Sequence, residues 1–485
     1  MEKICHIIDG KEVSSKSGKT FFSENPSTEQ IIAEVAYGEA EDVDLAVESA
    51  HRAFREWSAL SPIERGKLIY KVADKLLEQA EELARTETQD SGKTYQSNLK
   101  VDIPFAADFW RFYAGACDKI RTPVVANEFG VHRYAIREPY GVVGAIAPWN
   151  FPIVMASIKL CIALACGNTV VIKMAEQTPL TVTMLAKILL DVGFPPGVVN
   201  VVHGDGKTGQ HLVKHPKVKK IAFTGSSKVG RMIGMQCADM AKPVLLEMGG
   251  KSANVVFSDA DLELAVNGVL QSGLGNNGQF CLAASRILVE ETILERFLES
   301  LIEKIKKIRV GDPFDSKTNC GPLISQKQLD RVLDYIEIGK SEGASLIFGG
   351  TRPSELQRGY FLNPTVFINM CPNMRIWREE IFGPVIGITS FKTEQEAIEL
   401  ANASDYGLSA YFWTQDVNRS YRVTSSLDAG LVFVNMPSYI VPQMPAGIRN
   451  LSGSGYNFGM EAIENYTKLK GVYVNYSGRI FPWLT

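Results

Sequence analysis

Apolar residues recur along this chain with two periods, and the alternation between them outlines a fold. From Val43 to Trp57 the positions Val43, Ala46, Val47, Ala50, Phe54 and Trp57 share one helical face. Ser61-Pro62 opens a second helix, because proline fits a first turn where its missing N–H is not needed. Helical spacing continues through Leu83 and returns from about Ile103 to Cys117. Ahead of these helices, residues around 5–36 read as short strands broken at Asp9-Gly10 and Asn25-Pro26. Beyond them, Arg133 to Ile146 reads as extended chain with a turn at Pro139. The signals then alternate. Strands are predicted at Val170–Ile172, Val198–Val202, Ile221–Phe223 and Val244–Leu246, and helices at Leu180–Leu190, Thr208–Val213 and Val229–Ala238. That βαβα order predicts an α/β fold with a mostly parallel sheet covered on both faces. A second α/β set runs from Ala253–Phe257 to about Val434.

The run Ile153 to Ile172 is apolar and nearly long enough to cross a bilayer. Lys159 and the Gly167-Asn168 turn interrupt it, so it reads as a buried helix, a turn and a buried strand.

Composition narrows the picture. At 485 residues the chain is too long for one core, and two or three domains are expected. With 51 basic and 54 acidic residues the net charge is −3, which points to neither nucleic acid nor a membrane surface. The eight cysteines are scattered, without C-x-x-C, a Cys/His cluster or H-E-x-x-H, so no metal site is expected. The start, Met1-Glu-Lys-Ile-Cys-His, lacks the basic-then-apolar pattern of a secretion signal. A reduced, cytoplasmic setting is the expectation.

One cysteine stands apart. Cys281 lies in Gly275-Asn-Asn-Gly-Gln-Phe-Cys281-Leu-Ala-Ala-Ser-Arg286, between an amphipathic segment and a strand-like Ile287-Leu-Val289. Loops of this kind carry reactive groups, and Ala283, Ala284 and Ser285 leave room for a ligand. A nucleophilic cysteine needs that access and a lowered pKa, because the thiolate is the reactive form. Taken alone, a buried structural cysteine is the simpler reading. Phosphate-binding signals are equally partial. There is no G-x-G-x-x-G. Gly225 and Gly230 have the Walker A separation, but Arg231-Met232 replace its Lys-Ser/Thr. Phe223-Thr-Gly225-Ser226-Ser-Lys-Val-Gly230 nevertheless follows a strand and opens a helix, whose free N–H groups suit a pyrophosphate. Lys173 and Glu176 sit at the end of a strand, where doubly wound sheets bind ligands, and an acid there accepts from ribose hydroxyls.

Over essentially its whole length the chain resembles the NAD(P)-dependent aldehyde dehydrogenase superfamily. The resemblance rests on motifs in family order: Pro148-Trp-Asn-Phe-Pro152, Lys173-Met-Ala-Glu176-Gln-Thr-Pro, Phe223-Thr-Gly-Ser226, Leu246-Glu247-Met-Gly-Gly-Lys251, Gly278-Gln-Phe-Cys281 with Ser285-Arg286, and Glu379-Glu380-Ile-Phe382-Gly-Pro384. It implies a Rossmann-type cofactor domain over 1–120 and 140–249, a catalytic domain over 250–450, and a small β oligomerisation arm over 121–139 and 451–485. By resemblance, Cys281 is the nucleophile, Asn150 the oxyanion-binding amide and Glu247 the general base for thioester hydrolysis. Lys173, counted also among the catalytic residues, holds the adenosine ribose together with Glu176. Ser226, between Gly225 and Gly230, meets the pyrophosphate, Glu380 grips the nicotinamide-side ribose, and Trp149 and Phe382 complete the cofactor site. Glu176 favours NAD over NADP, since it would repel a 2′-phosphate.

The substrate pocket implied in the same way is Phe151, Met155, Ile158, Phe280, Leu282 and Ala446, which suits an apolar or aromatic aldehyde. Three departures accompany it. Ala284 follows the cysteine where glycine is common, Ala446 replaces an aromatic of the funnel, and Asn457 replaces a glutamate linked to proton exit, leaving Lys159 as the remaining relay member. Arg449 could instead recognise a carboxylate, as in a semialdehyde. A CoA-acylating enzyme is the other alternative, and that branch usually lacks the acid matched by Glu247. A homodimer or homotetramer is expected.

Overall fold

The structure is a computed structural model describing residues 2–478. Its first sheet has eight strands. Five are parallel and lie side by side in the order Val244–Glu247, Val218–Thr224, Val142–Ala147, Thr169–Met174 and Val199–Val201. Every residue of Thr169–Met174 is buried, as expected for a parallel strand covered on both faces. The helix Pro152–Ala165 is buried at nearly every position, with Lys159 its only charge, which explains the apolar run there. Among the described residues no helix is long and apolar enough to cross a membrane.

Antiparallel strands close both edges. His6–Ile8 and Lys11–Val13 extend one side, and Gly453–Ser454 pairs with the other. That last pairing, Glu247 opposite Gly453, returns part of the segment expected in the oligomerisation arm to the edge of the first sheet. The rest of that segment behaves differently. Thr467–Asn475 pairs along its whole length with Val131–Pro139, which also pairs with Val124–Glu128, giving a separate three-stranded sheet. Residues 479–485 of the expected arm lie outside the described residues.

The second sheet has seven strands in the order Ser345–Phe348, Thr365–Ile368, Val385–Phe391, Arg286–Glu290, Ala253–Val256, Ser409–Trp413 and Leu431–Val434. All pairs are parallel except the first. The connection between the sheets positions the site. Glu247 ends a strand of the first and Ala253 begins a strand of the second, with only Met248–Ser252 between. Carboxyl ends of one sheet therefore face amino ends of the other across a short link.

Candidate active site

The loop carrying Cys281 is shaped by its Gly/Asn content. The helix Leu262–Leu274 stops at Gly275, and Asn276, Asn277 and Gly278 follow with φ of 49°, 57° and 70°. Such left-handed backbone is cheap for glycine and tolerable for asparagine. A Cβ on Gly278 would stand 2.0 Å from the Gly383 carbonyl oxygen, so this turn also touches the loop bearing Glu380 and Phe382. The Asn276 amide donates to the carbonyls of Asn150 (3.0 Å) and Gln279 (3.1 Å). The Asn150 amide donates to the same Gln279 carbonyl at 3.0 Å. Asn150 and Cys281, far apart in sequence, are thereby fastened to one short loop.

Glycines bring in the acids. A Cβ on Gly250 would fall 2.4 Å from the Cys281 carbonyl oxygen, and one on Gly249 would fall 2.1 Å from Oε2 of Glu380. The Gly250 N–H donates to Oε1 of Glu380 at 3.0 Å. Glu247 lies three residues before Gly250, and its charge is felt at Cys281, as is that of Glu380.

The electrostatics correct one expectation. Burial, reinforced by Glu247 and Glu380, pushes the Cys281 thiol up to about 12, not down. Although Cys281 is only half-buried by surface, its sulfur is densely surrounded. At neutral pH it rests as a thiol, so its proton must leave as it attacks. Candidate acceptors are close. Burial pushes Glu247 up to about 7, opposed by Lys159. Burial likewise pushes Lys159 down to about 8, opposed by Glu247. Glu380 is pushed up to about 7 by burial, against the Gly250 N–H and the cations Lys251 and Arg331.

The remaining predicted residues fall around this centre. Trp149 meets Phe382 edge-on, with ring centroids 5.3 Å apart. Ser226 caps the helix Ser227–Asp239, and its Oγ accepts from the Val229 N–H at 3.4 Å. The Gly225 N–H donates to the Glu247 carbonyl at 3.0 Å, so the strand-to-helix turn adjoins the acid. Gly225 and Gly230 are also needed for packing, because added Cβ atoms would meet the Phe223 ring at 2.6 Å and the Met248 sulfur at 2.3 Å. Lys173 is buried and its Nζ lies 3.4 Å from Oε2 of the half-exposed Glu176. A capped helix start, an aromatic pair, an anchored carboxylate and a Lys–Glu pair at a strand end fit a dinucleotide.

The six pocket residues divide. Phe151, Met155 and Phe280 keep some surface, and the Phe151 and Phe280 rings lie 5.4 Å apart. Ile158, Leu282 and Ala446 are 3%, 3% and 4% exposed, so packing occupies most of their surface. Ala446 pairs across a short bridge with buried Asn457, inside the core that contains Phe458. Arg449 is exposed and its guanidinium is 3.0 Å from Asp428.

Sequence reasoning missed the support beneath this site. Glu87 and Asp90, both fully buried, lie on the helix Ala80–Ser91. Glu87 accepts from the Ile153 N–H at 3.1 and 3.2 Å, at the start of the helix that follows Asn150. Asp90 accepts from the Leu180 N–H at 2.9 Å, at the start of the helix that follows Glu176. One helix thus holds both turns. Lys93 pairs with buried Asp102 and stands 3.5 Å above the Phe151 ring. Glu87 and Asp90 are three apart, a helical spacing, but polar residues so spaced normally mark a solvated face, and the sequence carries no sign that they are inside.

Comparison with known proteins agrees with this architecture. The profile of the Aldehyde dehydrogenase family matches residues 13–472, and the chain belongs to that family. Retinaldehyde dehydrogenase 3 of Mus musculus is 44% identical over 465 residues, covering 95% of this chain and 90% of that protein. Among solved structures, the NAD+ complex of aldehyde dehydrogenase from Bacillus cereus matches with a TM-score of 0.96 at 44% identity, covering 98% of this chain and 97% of that one. Betaine aldehyde dehydrogenase from Staphylococcus aureus, in complex with NAD+, matches with a TM-score of 0.97 at 38% identity, covering 99% and 96%.

Proposed function

We propose that the protein oxidises an apolar or aromatic aldehyde to its carboxylic acid, with NAD as the cofactor and Cys281 as the nucleophile. The observation that carries this reading is the meeting of Cys281, Glu247 and the Asn150 amide around one loop. The Cys281 sulfur adds to the carbonyl carbon while its proton passes to Glu247, whose carboxylate titrates near neutrality. Negative charge then grows on the carbonyl oxygen. The second N–H of the Asn150 amide and the Cys281 backbone N–H are the donors for it, and one such donor is typically worth about 3–4 kcal/mol. Trp149, Phe382 and Glu380 hold the nicotinamide side of the dinucleotide, Gly225, Ser226 and Gly230 its pyrophosphate, and Lys173 and Glu176 its adenosine ribose. NAD supplies the hydride-accepting chemistry. The resulting Cys281 thioester is hydrolysed by a water that Glu247 deprotonates, with Lys159 beside it to pass the proton on.

Phe151, Met155 and Phe280 offer an apolar surface to the aldehyde. Retinaldehyde dehydrogenase 3, by its name, acts on a long apolar aldehyde, which supports that preference. The semialdehyde reading loses its support, because Arg449 is already paired with Asp428. The presence of Glu247, an acid that the CoA-acylating branch usually lacks, weighs against CoA as acyl acceptor. A cofactor domain on the eight-stranded sheet, a catalytic domain on the seven-stranded one and a β arm on the sheet of Val124–Glu128, Val131–Pro139 and Thr467–Asn475 is the division proposed, with Gly453–Ser454 moved from the arm to the first. Exposed Val124, Val125, Leu469 and Tyr473 on that third sheet suit pairing in a homodimer or homotetramer. Eight free cysteines suit a reducing cytoplasm.

An aldehyde panel with NAD+, read by NADH absorbance with and without CoA, tests the reading. Turnover of aromatic and long aliphatic aldehydes without CoA is expected, and Cys281→Ala should remove it. CoA dependence, or full activity in Cys281→Ala, would overturn it.

A further inference from the structure

The ribose end of the cleft holds an acid outside the sequence motifs. Val199–Val201 runs parallel to Thr169–Met174, with Val201 opposite Ile172. One strand continues into Lys173–Glu176, the other into His203-Gly-Asp205 and the helix Gly206–Lys214. Neighbouring carboxyl ends therefore deliver both segments to one corner, where open α/β sheets bind their ligands. Asp205 caps that helix. Its Oδ1 accepts from the Lys207 N–H at 2.8 Å and from the Tyr37 hydroxyl at 2.9 Å. The backbone of Thr208, one turn into the helix, also favours the charged form of Asp205. A Cβ on the adjacent Gly206 would meet no atom within 4 Å, so the helix start next to Asp205 is open.

The charge balance of this corner is negative. Lys173 is its buried cation, and it feels both Glu176 and Asp205. Partial burial opposes the charge on Asp205, but the Lys207 N–H, the Tyr37 hydroxyl and Lys173 outweigh it and hold the carboxyl below its usual range. His203 behind it is fully buried and pushed down to about 3, chiefly by burial, so it adds no charge at neutral pH. Lys207 and Lys228 are exposed, and solvent screens them.

We propose that Asp205 is a second cofactor-discriminating acid, which with Glu176 accepts the ribose diol of NAD and rejects the 2′-phosphate of NADP. The proposal rests on the NAD reading above. Two carboxylates against one ammonium leave a net negative corner, and a phosphate monoester brings close to two further negative charges. A hydroxyl in the same place can donate to an ionised carboxylate, which has about four acceptor sites.

The test is calorimetric titration of the full-length protein with NAD+ and with NADP+, without aldehyde, so that affinity is read apart from activity. Asp205→Asn keeps an oxygen for the Lys207 and Tyr37 bonds, and asparagine caps helices well. It should improve NADP+ affinity relative to NAD+ on the order of tenfold. In the parent protein the preference for NAD+ should shrink with added salt, because it is electrostatic. Tyr37→Phe keeps the charge and should leave the ratio within about twofold. An unchanged ratio in Asp205→Asn, a salt-independent preference, or an equal change in Tyr37→Phe would overturn the proposal. Failure of the parent protein to bind either dinucleotide would instead sink the NAD reading itself.

Discussion

The two ends of the proposed site treat charge in different ways. At the reactive end, Cys281, Glu247 and Lys159 are all moved toward their uncharged forms by burial, and Glu247 makes no side-chain hydrogen bond among the described residues. At the ribose end, Lys173 is paired with Glu176, and Asp205 is bonded twice and held ionised. A group that must gain and lose a proton during turnover is left unbonded and close to its titration point. A group proposed to hold or reject a ligand is tied down by partners, and Asp205 is held below its usual range. Glu380 marks the boundary. Its carboxyl is raised to about 7 like that of Glu247, yet the Gly250 N–H grips it.

The sharpest way to break this contrast is Glu247→Gln. Glu247 takes the Cys281 proton and later activates water, so steady-state turnover should fall by about 10²–10⁴-fold and the first burst of NADH should slow with it. Stopped-flow absorbance reads both phases. A burst that survives intact would show that the Cys281 proton leaves by another route and confine Glu247 to hydrolysis. Asn150→Ala comes next, with kcat lowered about 10²–10³-fold and the burst slowed in step, because the amide acts on the oxyanion. A normal burst in that variant would make Asn150 a loop fastener only.

The pairing of Glu247 with Lys159 gives a subtler test. Glu247 works as a base only when ionised, so activity should fall as the pH drops through about 7. Lys159 opposes the upward push on Glu247, so Lys159→Met should move that acidic limb to higher pH, by about one unit. A limb that stays put in the pH profile of kcat would show that Lys159 does not govern the base.

Much of the reactive end was legible in the sequence, because its parts are local. Gly275-Asn-Asn-Gly needs left-handed backbone and so announces a turn ahead of Cys281. Gly249-Gly250 must be side-chain-free where Glu380 and Cys281 approach. The protonation of Cys281 was not legible. It depends on the burial of the thiol itself and on Glu247 and Glu380 from distant segments, and the lowered pKa that a nucleophile needs is not what the fold produces. Asp205 was equally hidden, since its relation to Glu176 exists only through the strand order that sets Val199–Val201 beside Thr169–Met174. The edge strand Gly453–Ser454 escaped for the same reason. Two residues carry no period, and only pairing with Val244–Glu247 makes them a strand.

The smallest effect expected concerns the support under both ends. Glu87 accepts from the Ile153 N–H, and burial, with Asp102 adding to it, raises its carboxyl to about 8. At neutral pH it is therefore mostly uncharged, and Gln is a close mimic. Glu87→Ala leaves a buried N–H unpaired and should cost about 1–3 kcal/mol of stability, with a several-fold loss of kcat transmitted through Asn150. Glu87→Gln should restore most of both at neutral pH. The pH dependence has a definite sign. A carboxyl whose folded pKa is raised stabilises fully below its unfolded value of 4.5, and that contribution is lost as the pH rises through about 8. The Gln variant has no such loss. Its thermal midpoint should therefore gain on that of the parent protein between acidic and alkaline pH. A difference in midpoint that does not change with pH would mean that Glu87 is already ionised in the fold, which would place a fixed charge beneath Asn150 and blur the line between the two ends.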